Sequence, residues 1–488
     1  MLRLHWQRFS FRKVAYSVLG IYLLITCYTG FHLLNRKLQS DMKERLIQER
    51  IKSLSEIADD PDWNPWGEEF ESELQPQLHH NPPELWQDGP LTMALNQHRS
   101  VKEDWQGEGH EGYKPSGKRS PLERQETNTS VHSVEIWSKA AIGLYLWEHV
   151  LTGTLENRMN GVWSYGHKTI GSIHFRFRTG PGLVPDKVPR DTENVLLVLN
   201  GREPAKVSSS RLWLDLLTTL PRLHGAGAVL LGDEGCDNSW IQPYMSYRGG
   251  PLKFVFLVYD SPEVDNVHFF QWPLGVATYR DFPTIESTDL PLHNKRKYLF
   301  NFLGTIYKNS SREHLLSAIN GSSYRNLGYV QARMEWLPQE TDETRTEYIQ
   351  VLSNSDLTLN PAGINTECYR IYESMALGSV PVLEDVMTPG RCGHVTAGVS
   401  SLSGAPGKAR KIFPAPLRLL KEFEAPVLYV KNWTTDLGPL LQREASLSDL
   451  DRSKRREELV HWYSQFRSSM RDRLVSVISD KFFSPALR

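Results

Sequence analysis

Cysteine is scarce in this 488-residue chain, with four in all. Cys27 falls inside the one long apolar run, which leaves Cys236, Cys368 and Cys392. Three such residues permit at most one intramolecular disulfide, and their spacing does not select the pair. No Cys or His cluster has zinc-ligand spacing, so a zinc-built fold is excluded and no metal ligands are assigned. Neither sign of charge is in excess, since 56 Lys and Arg meet 57 Asp and Glu. With no long basic stripe, a nucleic-acid partner is not expected. A P-loop is missing, and Gly225-Ala226-Gly227 reads as preceding its strand, unlike a dinucleotide fingerprint. No nucleophile elbow marks a hydrolase. Two Asp-x-Asp tripeptides, Asp60 to Asp62 and Asp449 to Asp451, lie in polar segments and follow no strand. Neither reads as a metal-binding acid pair.

Long apolar runs are equally rare. Val14 to Leu34 is uncharged, and at about 1.5 Å per residue it is long enough to span a bilayer. Arg3, Arg8, Arg12 and Lys13 precede it, while Arg36 and Lys37 beyond it are soon joined by acids. The positive-inside rule then gives a cytoplasmic tail over 1–13, an anchor over 14–34 and the remainder outside the cytosol. The rival is a cleaved signal peptide; no small-residue cleavage site follows Leu34, and the run is long for a signal. Four sequons, at Asn128, Asn309, Asn320 and Asn432, are N-glycosylation candidates on that side, though chance also produces sequons. Residues 35–130 read as a stem: a charged helical pattern, DMKERLIQERIKSLSEI, and then polar sequence without periodicity. Trp63-Asn64-Pro65-Trp66 is an exception within it, which reads equally well as a segment docked on the globular part or as linker with two aromatics.

What is present beyond the stem is alternation of strand and helix. Residues 134–151 have helical apolar spacing. Asn194 to Asn200, Ala228 to Gly232 and Phe254 to Asp260 are near-continuous apolar runs, the mark of parallel strands buried on both faces. A helical pattern covers Ser210 to Leu220. After a turn-rich stretch, Tyr279 to Asn294, a second alternation opens with Tyr298 to Gly304 and ends with Val427 to Val430. A long amphipathic pattern closes the chain from about 447 to 480. The expected fold is α/β, with two facing nucleotide-fold domains over 131–290 and 291–435 and closing helices over 436–488.

The segment SDLTLNPAGINTECYRIYESMALGSVPVLED, Ser355 to Asp385, carries the clearest chemistry. It reads as strand, Pro361-Ala362-Gly363 loop, a helix over 366–377 capped by Asn365 or Thr366, Gly378 as its left-handed stop, and a second strand. Such a strand-to-helix turn favours a phosphate. Arg370 and Glu373, three residues apart, face one way; a guanidinium suits diphosphate and a carboxylate suits ribose hydroxyls. The bland alternative is an exposed pair worth about 0.2–0.5 kcal/mol. Gly304 to Arg312 repeats the strand–loop–helix plan, with Arg312 as a second cation and Asn309 in the same loop. For a base that deprotonates an acceptor hydroxyl, the strand-end carboxylates Asp233 and Glu234, with Asp237 beside them, and the rival Asp260 are candidates. Each reads equally well as a helix-capping acid. Asn200-Gly201-Arg202-Glu203 is a similar strand-end loop.

The blocks YLFNFLGTIYKNSSR and SDLTLNPAGINTECYRIYESMALGSVPVLED resemble the exostosin-type glycosyltransferases in their Phe-x-Gly, Pro-x-Gly, Arg-x-x-Glu and Gly-x-x-Pro-Val pattern. More narrowly, NPWGEE, IWSKAAIGLYLWEH, LNGRE, YDSP, FQWPLGVATYR and NTECYRIYE are similar to the ribitol-5-phosphate xylosyltransferase family. This resemblance implies a GT-B-like architecture behind a Golgi type II membrane anchor. It implies inverting transfer of xylose from UDP-xylose to ribitol 5-phosphate, in β1,4 linkage, on the O-mannosyl glycan of α-dystroglycan. Other Golgi glycosyltransferases are implied as company. Arg370, Glu373 and Arg312 take nucleotide-sugar roles by motif position, with Gly304, Pro361 and Gly363 around them. No resident cofactor is implied, and dependence on a divalent metal is expected to be weak at most. Asn360 stands where the exostosin pattern has Cys, which puts a nearby disulfide in doubt. The other readings are a noncatalytic lumenal glycan-binding or scaffold protein, and transfer from another donor such as UDP-glucuronate or UDP-N-acetylglucosamine.

Overall fold

A computed structural model describes residues 131–158, 162–334, 341–393 and 415–484, which belong to one compact unit covering 85–488. The expected tail, anchor and stem, and the sequon at Asn128, lie outside the described residues. Among the described residues no helix is long and apolar enough to cross a membrane.

Two sheets organise the molecule. The first has eight strands in the order β2-β3-β4-β1-β5-β6-β7-β8. In chain order these are β1 His132–Ser138, β2 Glu156–Arg158, β3 Trp163–Ile170, β4 Ile173–Thr179, β5 Asn194–Asn200, β6 Gly225–Leu231, β7 Phe254–Val258 and β8 Phe269–Trp272. From β4 to β8 every pairing is parallel, whereas β3 runs antiparallel to both β2 and β4. The second sheet is wholly parallel, in the order β10-β9-β11-β12-β13. Its strands are β9 Tyr298–Thr305, β10 Gly328–Arg333, β11 Ser355–Asn360, β12 Val380–Glu384 and β13 Leu428–Val430. Helix α1 (Pro204–Leu217) follows β5; α2 (Ser311–Asn320) follows β9; α3 (Asp342–Ser353) follows β10; α4 (Tyr369–Ala376) follows β11. Short α5 (Arg418–Glu422), then α6 (Trp433–Ala445) and α7 (Asp449–Ile478), complete the set.

The apolar runs read as buried strands are strands, and the alternation is α/β as expected. Three readings need correction. Residues 134–138 form β1 and are not helical; only Ile142–Val150 coils, as a short α stretch that continues as a π-helix. Val134 to Ser138 are buried where β1 pairs with β4 and β5, and a buried strand and a buried helix are indistinguishable by periodicity alone. Gly225-Ala226-Gly227 lies inside β6, where its glycines leave room for the Phe482 and Phe254 rings. The first sheet is mixed, because the β2–β4 edge alternates buried and exposed residues and lacks a continuous apolar run.

Helix α7 ties the two sheets together. Leu459, Tyr463, Phe466, Met470, Leu474 and Ile478 are buried at intervals of three or four, one continuous stripe. Its Arg456 is buried in a 2.7 Å ion pair with Asp356 of β11. Beyond the helix, Phe482 lies 5.4 Å from the Phe254 ring of the first sheet, and Lys253 Nζ donates to the Lys481 carbonyl. The second sheet is therefore roofed by a helix whose end returns to the first.

Candidate active site

In an open parallel sheet a ligand binds outside the carboxyl ends of the strands, where the strand order reverses. In the second sheet that reversal falls between β9 and β11. Gly304 and Thr305 end β9, and the loop carrying Gly363 follows β11. The carboxyl ends of β5, β6 and β7 face the same space. A cleft of about 700 Å³ results, lined from the first half by Arg202, Asp233, Glu234 and Tyr259 and from the second by Gly304, Arg312, Gly363, Glu367, Arg370 and Glu373.

Two guanidiniums occupy the reversal point. Arg312 Nη1 donates to the Thr305 carbonyl at 2.9 Å, and its guanidinium stands 5.5 Å from the Tyr307 ring. Arg370 lies 5.3 Å from the Phe302 ring, and its Nη1 is buried with no hydrogen-bond partner. Burial and the neighbouring Arg370 push Arg312 below the ordinary guanidinium value. A Cβ on Gly304 would stand 2.8 Å from Arg370 Nη2, and one on Gly363 would stand 2.7 Å from Arg312 Nη2. The two motif glycines thus make room for the two cations. Like charges held together in a partly dry cleft are costly unless an anion joins them.

The helix behind Arg370 starts later than the spacing predicts. Cys368 is the N-cap of α4, with no side-chain cap bond. Asn365 Oδ1 instead accepts the Glu367 amide, and Thr366 Oγ1 donates to the Val386 carbonyl. Residues 365–368 are thereby pinned as a turn. Gly378 takes the left-handed conformation at φ 69°, as read. Cys368 is a free thiol 3.8 Å from Asn360 Oδ1. The disulfide joins Cys236, after β6, to Cys392, after β12, so it links the two halves beside the cleft.

Three buried carboxylates surround this centre. Glu373 Oε1 accepts the Ala277 amide at 3.0 Å, and Oε2 accepts the Tyr348 hydroxyl at 2.6 Å. Burial raises its pKa, while those two bonds oppose the shift. Glu384 accepts Ser311 Oγ at 2.9 Å and the Ala362 amide at 2.8 Å, which binds the start of α2 to the Pro361-Ala362-Gly363 loop. Glu367, only 9% exposed, accepts the Leu274 amide at 2.9 Å and the Tyr372 hydroxyl at 2.5 Å, both on Oε1. Burial pushes its pKa up to about 7, against the pull of Tyr372 and Leu274. Sequence reasoning missed Glu367 and Glu384. For Glu367 the only local hint is its place in the turn that leads into Arg370.

The first-half acids differ in fate. Asp233 Oδ2 accepts the Gly235 amide at 2.8 Å and the Asp237 amide at 3.3 Å, closing the turn after β6. Glu234 lies 3.5 Å from Arg202 Nη2 and lines the cleft. Burial works against the charge on Arg202, but Tyr259, Tyr369 and Glu234 outweigh it and hold the guanidinium above its ordinary value. Asp237 is exposed and pairs with Arg391. Asp260 braces a neighbouring loop: Oδ2 accepts the Leu417 amide at 2.7 Å, Oδ1 accepts Arg418 N and Gln271 Nε2, and the residue does not line the cleft. Pro361 is buried behind that wall as well. Asn309, Asn320 and Asn432 are exposed, and Asn432 also caps α6 by accepting the Thr434 amide. Among the described residues no group of three or more His, Cys, Asp or Glu is placed to hold a metal ion.

Comparison with known proteins decides the family. The RXYLT1 N-terminal domain matches residues 134–273 and the RXYLT1 C-terminal domain matches residues 279–483. Ribitol-5-phosphate xylosyltransferase 1 of Danio rerio is 39% identical over 98% of this chain and 99% of its own length. The chain belongs to the ribitol-5-phosphate xylosyltransferase 1 family. The Mus musculus and Homo sapiens members are each 43% identical over 72% of this chain, covering 77% and 76% of their own lengths. Among solved structures, an α-glucosyltransferase in complex with UDP-glucose and DNA aligns at 9% identity and a TM-score of 0.38, over 71% of this chain and 99% of that one. A UDP-forming trehalose-phosphate synthase from Burkholderia vietnamiensis aligns at 9% identity and a TM-score of 0.33, over 73% and 98%. This chain is a sugar-transferring enzyme of the xylosyltransferase kind, and the cleft between its halves is the candidate site of transfer.

Proposed function

We propose that the cleft takes UDP-xylose and ribitol 5-phosphate and joins xylose to the ribitol in β1,4 linkage, with inversion at the sugar carbon, in a GT-B-like enzyme. The observation that carries the donor reading is the cation pair Arg312 and Arg370, which has no ion-pair partner among the described residues and sits at the strand-order reversal of the second sheet. A diphosphate is the anion that fits two adjacent guanidiniums. Glu373 keeps a lone pair on each oxygen for ribose hydroxyls. As the bond to xylose breaks, negative charge develops on the departing UDP, and Arg312 and Arg370 neutralise it where other enzymes use a metal. On this reading activity survives chelation.

The acceptor approaches from the first half, where Arg202 offers its phosphate a positive charge. The wider setting belongs to the same proposal: a type II anchor at 14–34, a catalytic part in the Golgi lumen beside other glycosyltransferases, and a phosphoribitol-bearing O-mannosyl glycan of α-dystroglycan as the natural acceptor. The names of the relatives support the acceptor, and the uncharged run with its basic flank supports the anchor. The test is turnover by the lumenal part with a synthetic phosphoribitol acceptor and a panel of UDP-xylose, UDP-glucuronate and UDP-N-acetylglucosamine, with UDP binding followed by calorimetry. UDP-xylose turnover above the other donors is expected. Preference for another donor would overturn the sugar, and absence of UDP binding would overturn the site.

A further inference from the structure

We propose that Glu367 is the catalytic base, its Oε2 taking the proton from the ribitol hydroxyl that attacks the xylose. The proposal rests on the donor reading above. Six other carboxylates reach or approach the cleft, and each is engaged or too wet. Glu384 accepts Ser311 Oγ on one oxygen and the Ala362 amide on the other. Asp233 holds two amides of its own turn, and Asp260 holds Leu417, Arg418 and Gln271. Both oxygens of Glu373 accept hydrogen bonds. Glu234 is partly exposed and paired with Arg202, and Glu203 is exposed at the start of α1. Glu367 alone is buried, lines the cleft, and carries both of its hydrogen bonds on one oxygen. The clamp on Oε1 fixes the carboxylate plane from two sides: Leu274 from the crossover after β8, and Tyr372 from α4. Oε2 accepts no hydrogen bond among the described residues, yet it is not sealed away.

The step balances. The acceptor O–H bond breaks and its proton passes to Oε2. The oxygen's electron pair forms the new bond to the xylose carbon. The bond from that carbon to the diphosphate oxygen breaks, and its electron pair leaves with UDP beside Arg312 and Arg370. A general base works best when its pKa lies near the working pH. Charged and titratable groups face Glu367 from every side: Tyr372 on α4, Arg202 after β5, Asp260 after β7, with Tyr145 and Tyr259 against it. Arg202 pulls its pKa down and Asp260 pushes it up, while burial dominates and sets it at about 7.

The test compares wild type, Glu367→Gln and Glu234→Gln in kcat, donor KM, UDP binding by calorimetry and rate against pH. Gln keeps an acceptor oxygen for Leu274 and Tyr372 but takes no proton. Expected for Glu367→Gln is a kcat loss of roughly 100-fold or more, with UDP affinity within about threefold of wild type, while Glu234→Gln keeps the acid limb of the profile. If Glu367→Gln retains kcat, or if Glu234→Gln erases the limb, the proposal is overturned. Should Glu367→Gln fail to fold, the wild-type profile decides: kcat must fall on the acid side of about pH 7, and a flat profile from pH 5.5 to 8 overturns the base. Failure of the donor reading is distinct, because wild type itself would then neither bind UDP nor turn over UDP-xylose.

Discussion

Gly304 and Arg370 meet at the reversal point of the second sheet so closely that a methyl group on Gly304 would stand 2.8 Å from Nη2 of the arginine. Gly363 stands in the same relation to Arg312 at 2.7 Å. In both cases the crowded atom is the far end of a flexible side chain, so a Cβ would move the cation without breaking the sheet. Gly304→Ala and Gly363→Ala are therefore expected to raise the donor KM by about 10-fold or more, the worth of one charge-assisted bond. Melting temperature should stay within about 2 °C of wild type. An unchanged KM, or a cooperative loss of fold, would show that the glycines serve the backbone instead.

Glu373 has two duties, and they call for a careful choice of substitution. Its Oε1 accepts the Ala277 amide in the crossover between the halves, and its Oε2 accepts the Tyr348 hydroxyl. Alanine would orphan a buried N–H at about 1–3 kcal/mol, so Glu373→Ala is expected to lose stability as well as donor affinity. Glu373→Gln retains one acceptor oxygen and separates the two. Its expected signature is a raised donor KM with a smaller drop in melting temperature than Glu373→Ala. Equal KM values for Glu373→Gln and wild type would remove this residue from ribose recognition.

Much of this arrangement is visible in the chain, and what is not visible has physical causes. Asn194 to Asn200 reads as a strand because a parallel strand covered on both faces must be apolar throughout, and the structure places β5 there. Arg370 is legible for a similar local reason: strand, glycine loop, helix and Gly378 follow one another within one βαβ unit. Glu367 is not legible, because its burial depends on Leu274, 93 residues away, and on the packing of the two halves. In sequence it is one acid among many. Asp260 misleads in the opposite sense. It follows a strand as a base should, but its carboxylate is occupied by amides of Leu417 and Arg418, more than 150 residues on. The choice of Cys236 and Cys392 likewise depends on which loops the two sheets bring together.

That disulfide closes a 156-residue separation and crosses from one half to the other. Around it Asn365 Nδ2 donates to the Glu234 carbonyl at 2.8 Å, and the Arg391 amide donates to the Gly235 carbonyl at 2.7 Å. The loop that bears Glu234 is thus tied to the loop that leads to Arg370. Replacing both cysteines by serine is expected to destabilise the protein by about 2–5 kcal/mol and to raise the donor KM. Thermal melts and kinetics of Cys236→Ser/Cys392→Ser check both. A lowered melting temperature with unaltered kinetics would mean that the link serves stability alone.

Stability should depend on pH through Glu367, and the sign is opposite to that of a salt-bridged acid. Its folded pKa is raised from 4.5 to about 7, chiefly by burial. Between those values the folded protein keeps a proton that the unfolded chain releases, so stability falls as pH rises through that window and levels off above it. Below the unfolded value of 4.5 neither state is ionised and the penalty vanishes. A shift of this size corresponds to roughly 3 kcal/mol at full ionisation, and Glu373, also raised by burial, acts in the same sense. Glu367→Gln carries no such penalty. Its melting temperature relative to wild type is therefore expected to be several degrees higher at pH 8 than at pH 5. Melts of both proteins across pH 5 to 8 read this directly, and a constant difference would mean that Glu367 ionises as freely in the folded protein as in the unfolded chain.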